Sequence, residues 1–354
     1  MRCVLHIGMP KTGTKSIQRG LAAGPGKEFL EAQDIGCPAI ELENGNLFTN
    51  FSDLLYSVMI PDPNLAQRKM VSGLERVCES FQRQPWRSAL ISAESVGEPI
   101  RSAAELAKVR DFLSRWFDAF RAVIYLREPR EYASSRIAQS VSEGYPLSLA
   151  ASGLNSKGFD YTAQIRTLKS IFQGSNDKVV VRSFDRQKLK EGDLIRDFLI
   201  QGLQLEEARF NDLPHSIDHE NHSITAPLVK LLDAFYLETG QSITKWSERA
   251  QFRPWRLFDG VAWKGPKFRC EEILEPEELD ALDACRTNWN QVIGEDFFPS
   301  YQPGVSSSPE DQNKDSLLLQ ISEAIQENIP ESGIDRIWAE SFHEFVRTSL
   351  QEES

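Results

Sequence analysis

The chain has 354 residues, 40% of them apolar and 26% charged, with a net charge of −12. These fractions exclude collagen-like, disordered and disulfide-scaffold proteins and fit one large or two smaller folded domains. Residues 301–354 hold 11 Asp and Glu against 3 Lys and Arg, a net of −8 that leaves only −4 for the first 300. Nucleic-acid binding through bulk charge is therefore not expected, whereas an anionic small ligand needs only a local cluster of donors.

In chain order, short β-branched runs alternate with longer helical patterns, which predicts a parallel α/β sheet with helices on both faces. Strands are expected over 2–8, 88–93, 122–126 and 178–182. Helices are expected over 14–23, 64–83, 103–120, 129–143, 161–172, 192–202, 225–239 and 275–293. A domain over 1–300 is followed by a polar linker, 301–316, containing Ser306-Ser307-Ser308-Pro309. An acidic helical tail, 317–354, has Leu317, Ile321 and Ile325, then Ile334, Trp338, Phe342 and Phe345, at helical spacing. Such a tail packs on its own core, self-associates or docks a partner. No window approaches the ~18 unbroken apolar residues of a membrane span. Lys11 interrupts any N-terminal signal pattern, and the five cysteines (Cys3, Cys37, Cys78, Cys270, Cys285) contain no CxxC pair. These features predict a reduced, cytoplasmic protein without structural zinc.

The strongest local signal is Val4-Leu5-His6-Ile7-Gly8-Met9-Pro10-Lys11-Thr12-Gly13-Thr14-Lys15-Ser16. A buried strand enters a Gly-bounded loop and a helix opens at once, so loop N–H groups and the helix N-terminus form an anion site. Gly8 and Gly13 have the spacing of the nucleotide-binding pattern GxxxxGK[ST], but Thr14 stands in the lysine position and Lys11 lies inside the loop. The second motif, Ala122-Val123-Ile124-Tyr125-Leu126-Arg127-Glu128-Pro129, places Arg127 at a strand's carboxyl end, where open α/β sheets bind ligands. Ser135 follows eight residues later. That strand end lacks the carboxylate that would hold magnesium.

Pro10-Lys11-Thr12-Gly13-Thr14 resembles the 5′-phosphosulfate loop of sulfotransferases that use 3′-phosphoadenosine 5′-phosphosulfate (PAPS), although Lys15 stands where members usually have Thr or Ser. Arg127 and Ser135 are similar to that family's 3′-phosphate motif. The runs Val179-Val180-Val181-Arg182-Ser183-Phe184-Asp185 and Gly192-Asp193-Leu194-Ile195-Arg196-Asp197-Phe198-Leu199 resemble its later strand and helix. Asn221-His222-Ser223-Ile224-Thr225 is similar to its Asn-x-Ser helix entry. The likeness covers 2–295 and points to bacterial, carbohydrate-type members. It implies a P-loop-NTPase-like sheet, sulfuryl transfer to a hydroxyl acceptor (a saccharide foremost), release of 3′-phosphoadenosine 5′-phosphate (PAP), and no metal. It further implies that Pro10, Lys11, Thr12, Gly13, Thr14, Lys15 and Ser16 hold the 5′ end and Arg127 and Ser135 the 3′-phosphate.

Such a transfer needs a cation at the leaving oxygen, a role suited to Lys11, and a base for the acceptor hydroxyl. Glu94, in Ser92-Ala93-Glu94-Ser95, is the first candidate base and His6 the second. Glu94 equally fits a salt bridge or helix cap, and His6 a buried structural histidine. Residues 245–269 hold seven Lys and Arg against two acids, interleaved with Trp246, Phe252, Trp255, Phe258, Trp263 and Phe268. There Lys264-Gly265 resembles the family's late cofactor loop, while a tryptophan-rich lid packed on the core is the structural alternative. His219 and His222 have no third ligand at metal spacing. Two other classes stay open: a P-loop kinase or nucleotide hydrolase, and a noncatalytic PAP-binding interaction protein.

Overall fold

The computed structural model describes residues 1–22, 24–38, 40–41, 47–94, 96, 102–154, 160–212, 225–240, 267–294, 297–298, 314–328 and 334–352. The strands in chain order are β1 (Arg2–Gly8), β2 (Ile35–Gly36), β3 (Ile40–Glu41), β4 (Leu47–Phe48), β5 (Ser88–Glu94), β6 (Ala119–Leu126) and β7 (Lys178–Ser183). The helices are α1 (Thr14–Ala22), α2 (Gly24–Glu31), α3 (Ser52–Met59), α4 (Leu65–Gln82), α5 (Ala103–Leu113), α6 (Pro129–Ser142), α7 (Leu147–Ser152), α8 (Thr162–Ile171), α9 (Leu194–Asp197), α10 (Ala226–Thr239), α11 (Pro276–Ile293), α12 (Lys314–Asn328) and α13 (Ile334–Glu352). They fall into two units. One comprises Met1–Glu128, Lys157–Asn221 and Ala284–Pro299; the other comprises Pro129–Ser156, His222–Asp283 and Ser300–Ser354.

The first unit is built on a five-stranded, all-parallel sheet in the order β2-β5-β1-β6-β7. Sheets of this kind are buried on both faces, which is why their strands read as continuous apolar runs. Along β1 the side chains alternate: Cys3, Leu5 and Ile7 enter a core with Ile91, Ile124, Leu55, Leu106, Ile165 and Trp289. Val4 faces the other way, against Leu90, Val123, Tyr125, Ile17, Leu21 and Ile195. Helices therefore cover both faces, α1, α2 and α9 on one and α3, α4, α5, α8 and the later part of α11 on the other. Because β5 and β6 flank β1, the chain's connections diverge at the carboxyl end of β1, where open α/β sheets bind ligands.

The expected strands are all present, and β6 starts at Ala119, ahead of the expected residue 122. The helix expected over 103–120 stops at Leu113. Beyond the Ser114–Trp116 turn, the Asp118 N–H donates to the Met1 carbonyl (3.1 Å) and the Phe120 N–H to Asp177 Oδ1 (2.9 Å), so those donors serve the sheet instead of a helix. The helix expected over 192–202 is broken as well. After α9, the backbone widens into a π turn over Phe198–Gly202, closed by the Leu203 N–H on the Phe198 carbonyl at 3.0 Å.

The second unit is helical. Tyr236 of α10 donates to the Val141 carbonyl of α6 (3.1 Å), and Asp233 accepts from the Leu147 N–H of α7 (2.6 Å). Phe235 packs against Phe342 and Phe345 of α13 at ring-centre distances of 4.9 and 5.5 Å. Ile321 and Ile325 of α12 and Ala339, Phe342 and Val346 of α13 are buried. Helix α12 begins at Lys314, inside the stretch expected as linker; residues 301–313 lie outside the described residues. Among the described residues, no helix is long and apolar enough to cross a membrane.

Candidate functional site

At the carboxyl edge of the first unit's sheet, the β1 loop lies between two chemically different strand ends. Gly8 is in register with Glu94 of β5 on one side, and β6 on the other side runs into Arg127. The loop itself is tight. A Cβ on Gly8 would collide with Thr14, and Gly13 has φ +73° with no room for a side chain against Leu194. Lys11 also takes a left-handed conformation, at φ +64°, which costs an L residue roughly 1–2 kcal/mol. Left-handed residues between ordinary ones turn successive N–H groups toward a common point, the geometry of an anion nest.

The two threonine hydroxyls do something other than the sequence suggests. Thr12 Oγ1 and Thr14 Oγ1 both donate to the Met9 carbonyl, at 2.9 and 3.0 Å. The turn closes over that carbonyl, which also accepts from the Thr12 N–H at 3.4 Å, so these side chains brace the loop from within. Helix α1 then begins with the Ile17 N–H on the Gly13 carbonyl (3.1 Å), and its first turn carries no acidic residue. Lys15 is exposed, Lys11 and Pro10 are half-buried, and Ser16 is buried. A helix N-terminus with a cation beside it favours an anion by roughly 0.3–1 kcal/mol per charge, before any direct lysine contact.

Glu94 is held by neighbours that the sequence did not single out. Its N–H donates to Asn50 Oδ1 (3.1 Å), and the Ser52 hydroxyl lies within hydrogen-bond reach of both the Glu94 carbonyl and Asn50 Oδ1 (2.6 Å to the latter). Asn50 and Ser52 precede and open α3, and so tie that helix to the end of β5. On the other side, Arg127 Nη1 reaches the Lys11 carbonyl at 3.5 Å, and the guanidinium lies 5.9 Å from the centre of the Phe184 ring.

His6 is placed elsewhere. It is 0% exposed within β1, with Nδ1 2.8 Å from Ser92 Oγ and its ring edge-on to Phe198 at 5.2 Å. Burial lowers its pKa from 6.5 to about 3, which favours the neutral ring. Nearby, Asp197 is fully buried and accepts from Tyr125 Oη (2.8 Å), Arg182 Nε (3.0 Å), Arg182 Nη2 (2.5 Å) and the Lys190 N–H (3.1 Å). Burial works against the Arg182 charge, but the hydrogen bonds and charge of Asp197 outweigh it and raise its pKa. Burial, then Asp197, raises that of Tyr125.

Ser135 belongs to the second unit, half-buried on α6. Lys264, Gly265, His219 and His222 lie outside the described residues. At the described end of the basic aromatic segment, Phe268 is buried and Arg269 pairs with Glu131, so these two residues pack structurally. All five cysteines are free, and burial pushes the Cys78 and Cys270 thiols up to about 12. Among the described residues no group of three His, Cys, Asp or Glu side chains is arranged to hold a metal ion.

No protein-family model matches this chain, and comparison with curated proteins and with solved structures found no match to it.

Proposed function

We propose that this protein is a sulfotransferase that takes its sulfuryl group from PAPS and delivers it to a hydroxyl, with a saccharide the favoured acceptor. The observation that carries the reading is the left-handed turn at Lys11 and Gly13 between β1 and α1, with Arg127 one strand away. The donor set fits the cofactor's chemistry: N–H groups and lysines at the loop suit a phosphosulfate, and the guanidinium suits a second phosphate. Bound PAPS supplies an activated sulfuryl group on a phosphate leaving group. Lys11 holds positive charge where that leaving oxygen becomes anionic, and the loop N–H groups keep the phosphate in place. Glu94, across from Gly8, accepts the proton of the acceptor hydroxyl at its carboxylate. Positioning and electrostatics carry most of the acceleration in this scheme.

The deciding measurement is thermal unfolding with PAP, with ATP plus magnesium, and with neither. A ligand at a hundred times its Kd adds about 2.7 kcal/mol, on the order of 5 °C for a chain of this size. A shift with PAP that is lost in Arg127→Ala supports the reading. A shift with ATP and magnesium alone replaces it with a nucleotide kinase or hydrolase, and PAP binding without turnover on any acceptor leaves a PAP-binding interaction protein. In the enzyme, Glu94→Gln lowers turnover by about a hundredfold or more while PAP affinity stays within about twofold. Turnover equal to wild type would remove Glu94 from the mechanism.

A further inference from the structure

One aromatic ring touches both cationic elements of the site. The ring of Phe184, just past the end of β7, packs against Gly13: a Cβ there would come within 3.0 Å of Phe184 Cε2. The same ring lies 5.9 Å below the Arg127 guanidinium, within cation–π range. Its backbone is equally fixed, since the Phe184 N–H donates to the Leu126 carbonyl at 2.7 Å and so extends the β6–β7 ladder to the residue before Arg127. Two residues upstream, Arg182 is locked on buried Asp197. Asp197 lies on α9, whose Leu194 also abuts Gly13, where it leaves no room for a Cβ. Phe184 and Leu194 thus hold the loop at Gly13, and Phe184 also meets Arg127.

We infer that Phe184 is a positioning residue that sets the spacing between the Lys11–Gly13 turn and Arg127, and thereby makes the site selective for a nucleotide bearing two separated anionic groups. The inference rests on the reading that loop and arginine bind one ligand. The guanidinium meets the loop through Nη1, 3.5 Å from the Lys11 carbonyl, and the ring, packed at Gly13 and 5.9 Å from the guanidinium, holds it in that one place. With the cation fixed at that edge of the turn, a ligand whose only phosphate is taken by the loop N–H groups gains less from Arg127 than one that carries a second anion to it.

The test is calorimetric binding of PAP, of adenosine 5′-monophosphate and of ATP with magnesium to wild type, Phe184→Leu, Phe184→Tyr, Arg127→Ala and the Phe184→Leu/Arg127→Ala double variant. Phe184→Leu should weaken PAP about three- to tenfold while leaving the monophosphate within about twofold, and Phe184→Tyr should restore PAP binding. The double variant should bind PAP no more weakly than Arg127→Ala alone, because the ring acts through the guanidinium. Equal loss of PAP and monophosphate, or losses that add in the double variant, would overturn the inference and reduce Phe184 to packing. If Phe184→Leu folds poorly, Phe184→Met keeps the volume and carries the same comparison. Wild type that binds ATP with magnesium and ignores PAP overturns both, because ATP carries no second, separated phosphate, whereas PAP binding without turnover overturns the sulfotransferase reading alone. Binding of neither overturns both.

Discussion

The β1 loop and the Tyr125–Arg182–Asp197 cluster lie at the same end of the same sheet and treat charge in opposite ways. In the cluster, a carboxylate with 0% exposure is answered in place by a guanidinium, a phenol and a backbone N–H, so its charge is spent inside the fold. At the loop, Lys15 is exposed, the two inward hydroxyls are absorbed by one carbonyl, and the backbone is held left-handed at Lys11 and Gly13. The difference separates polar groups that answer one another inside the fold from those presented at its edge. Interior charge is neutralised by geometry, whereas charge at the strand ends is presented on a strained support, the usual mark of a functional site.

That contrast breaks first at Asp197. Asp197→Ala leaves the Arg182 guanidinium and Tyr125 hydroxyl facing a buried void, and should cost about 3–5 kcal/mol in urea unfolding. Lys15→Ala, at the loop, should stay within about 0.5 kcal/mol of wild type. If Asp197→Ala cost less than about 1 kcal/mol, the cluster would be a surface ion pair in energetic terms and the comparison would fail.

Beneath the loop, His6 sharpens the same division through pH. Its folded-state pKa is about 3 against an ordinary 6.5. Between those values the unfolded chain binds a proton that the folded chain refuses. Stability therefore falls as pH falls through that window, and nothing is lost above it. From about pH 7 to about pH 5 this residue should account for a loss of about 2 kcal/mol. The check is the pH slope of the urea midpoint in wild type and in His6→Gln. Equal slopes would mean that the imidazole titrates normally and is reached by solvent.

What the sequence made legible was local. The β1 loop, the strand ends at Glu94 and Arg127, and four of the five strands of the sheet were readable from apolar runs and turn residues, whereas the two-residue β2, β3 and β4 were not. What it hid was assembled by the fold. Asn50 and Ser52 reach Glu94 from more than forty residues away. Asp197 sits on a four-residue helix whose π continuation no periodicity announces. Phe184 carries no signal in the sequence, because its contacts with Gly13 and Arg127 exist only once β7 is paired. The short helices α2, α3 and α7, of eight, eight and six residues, span too few turns to establish a helical period. Inward-turned Thr12 and Thr14 show the same limit: residue type predicts that a hydroxyl bonds, and the fold decides with what.

The smallest expected effect separates the two regions most sharply. Lys11 is a non-glycine residue at φ +64°, a conformation costing roughly 1–2 kcal/mol, of which about half is offset by the chain entropy that glycine would add. Lys11→Gly should therefore raise stability by about 0.5–1 kcal/mol while weakening PAP binding about tenfold or more. A gain in melting temperature alongside lost affinity marks a residue kept in strain for what it binds. Loss of both would mean that the lysine secures the turn itself, and the loop would then belong with the cluster, as a device for holding the sheet together.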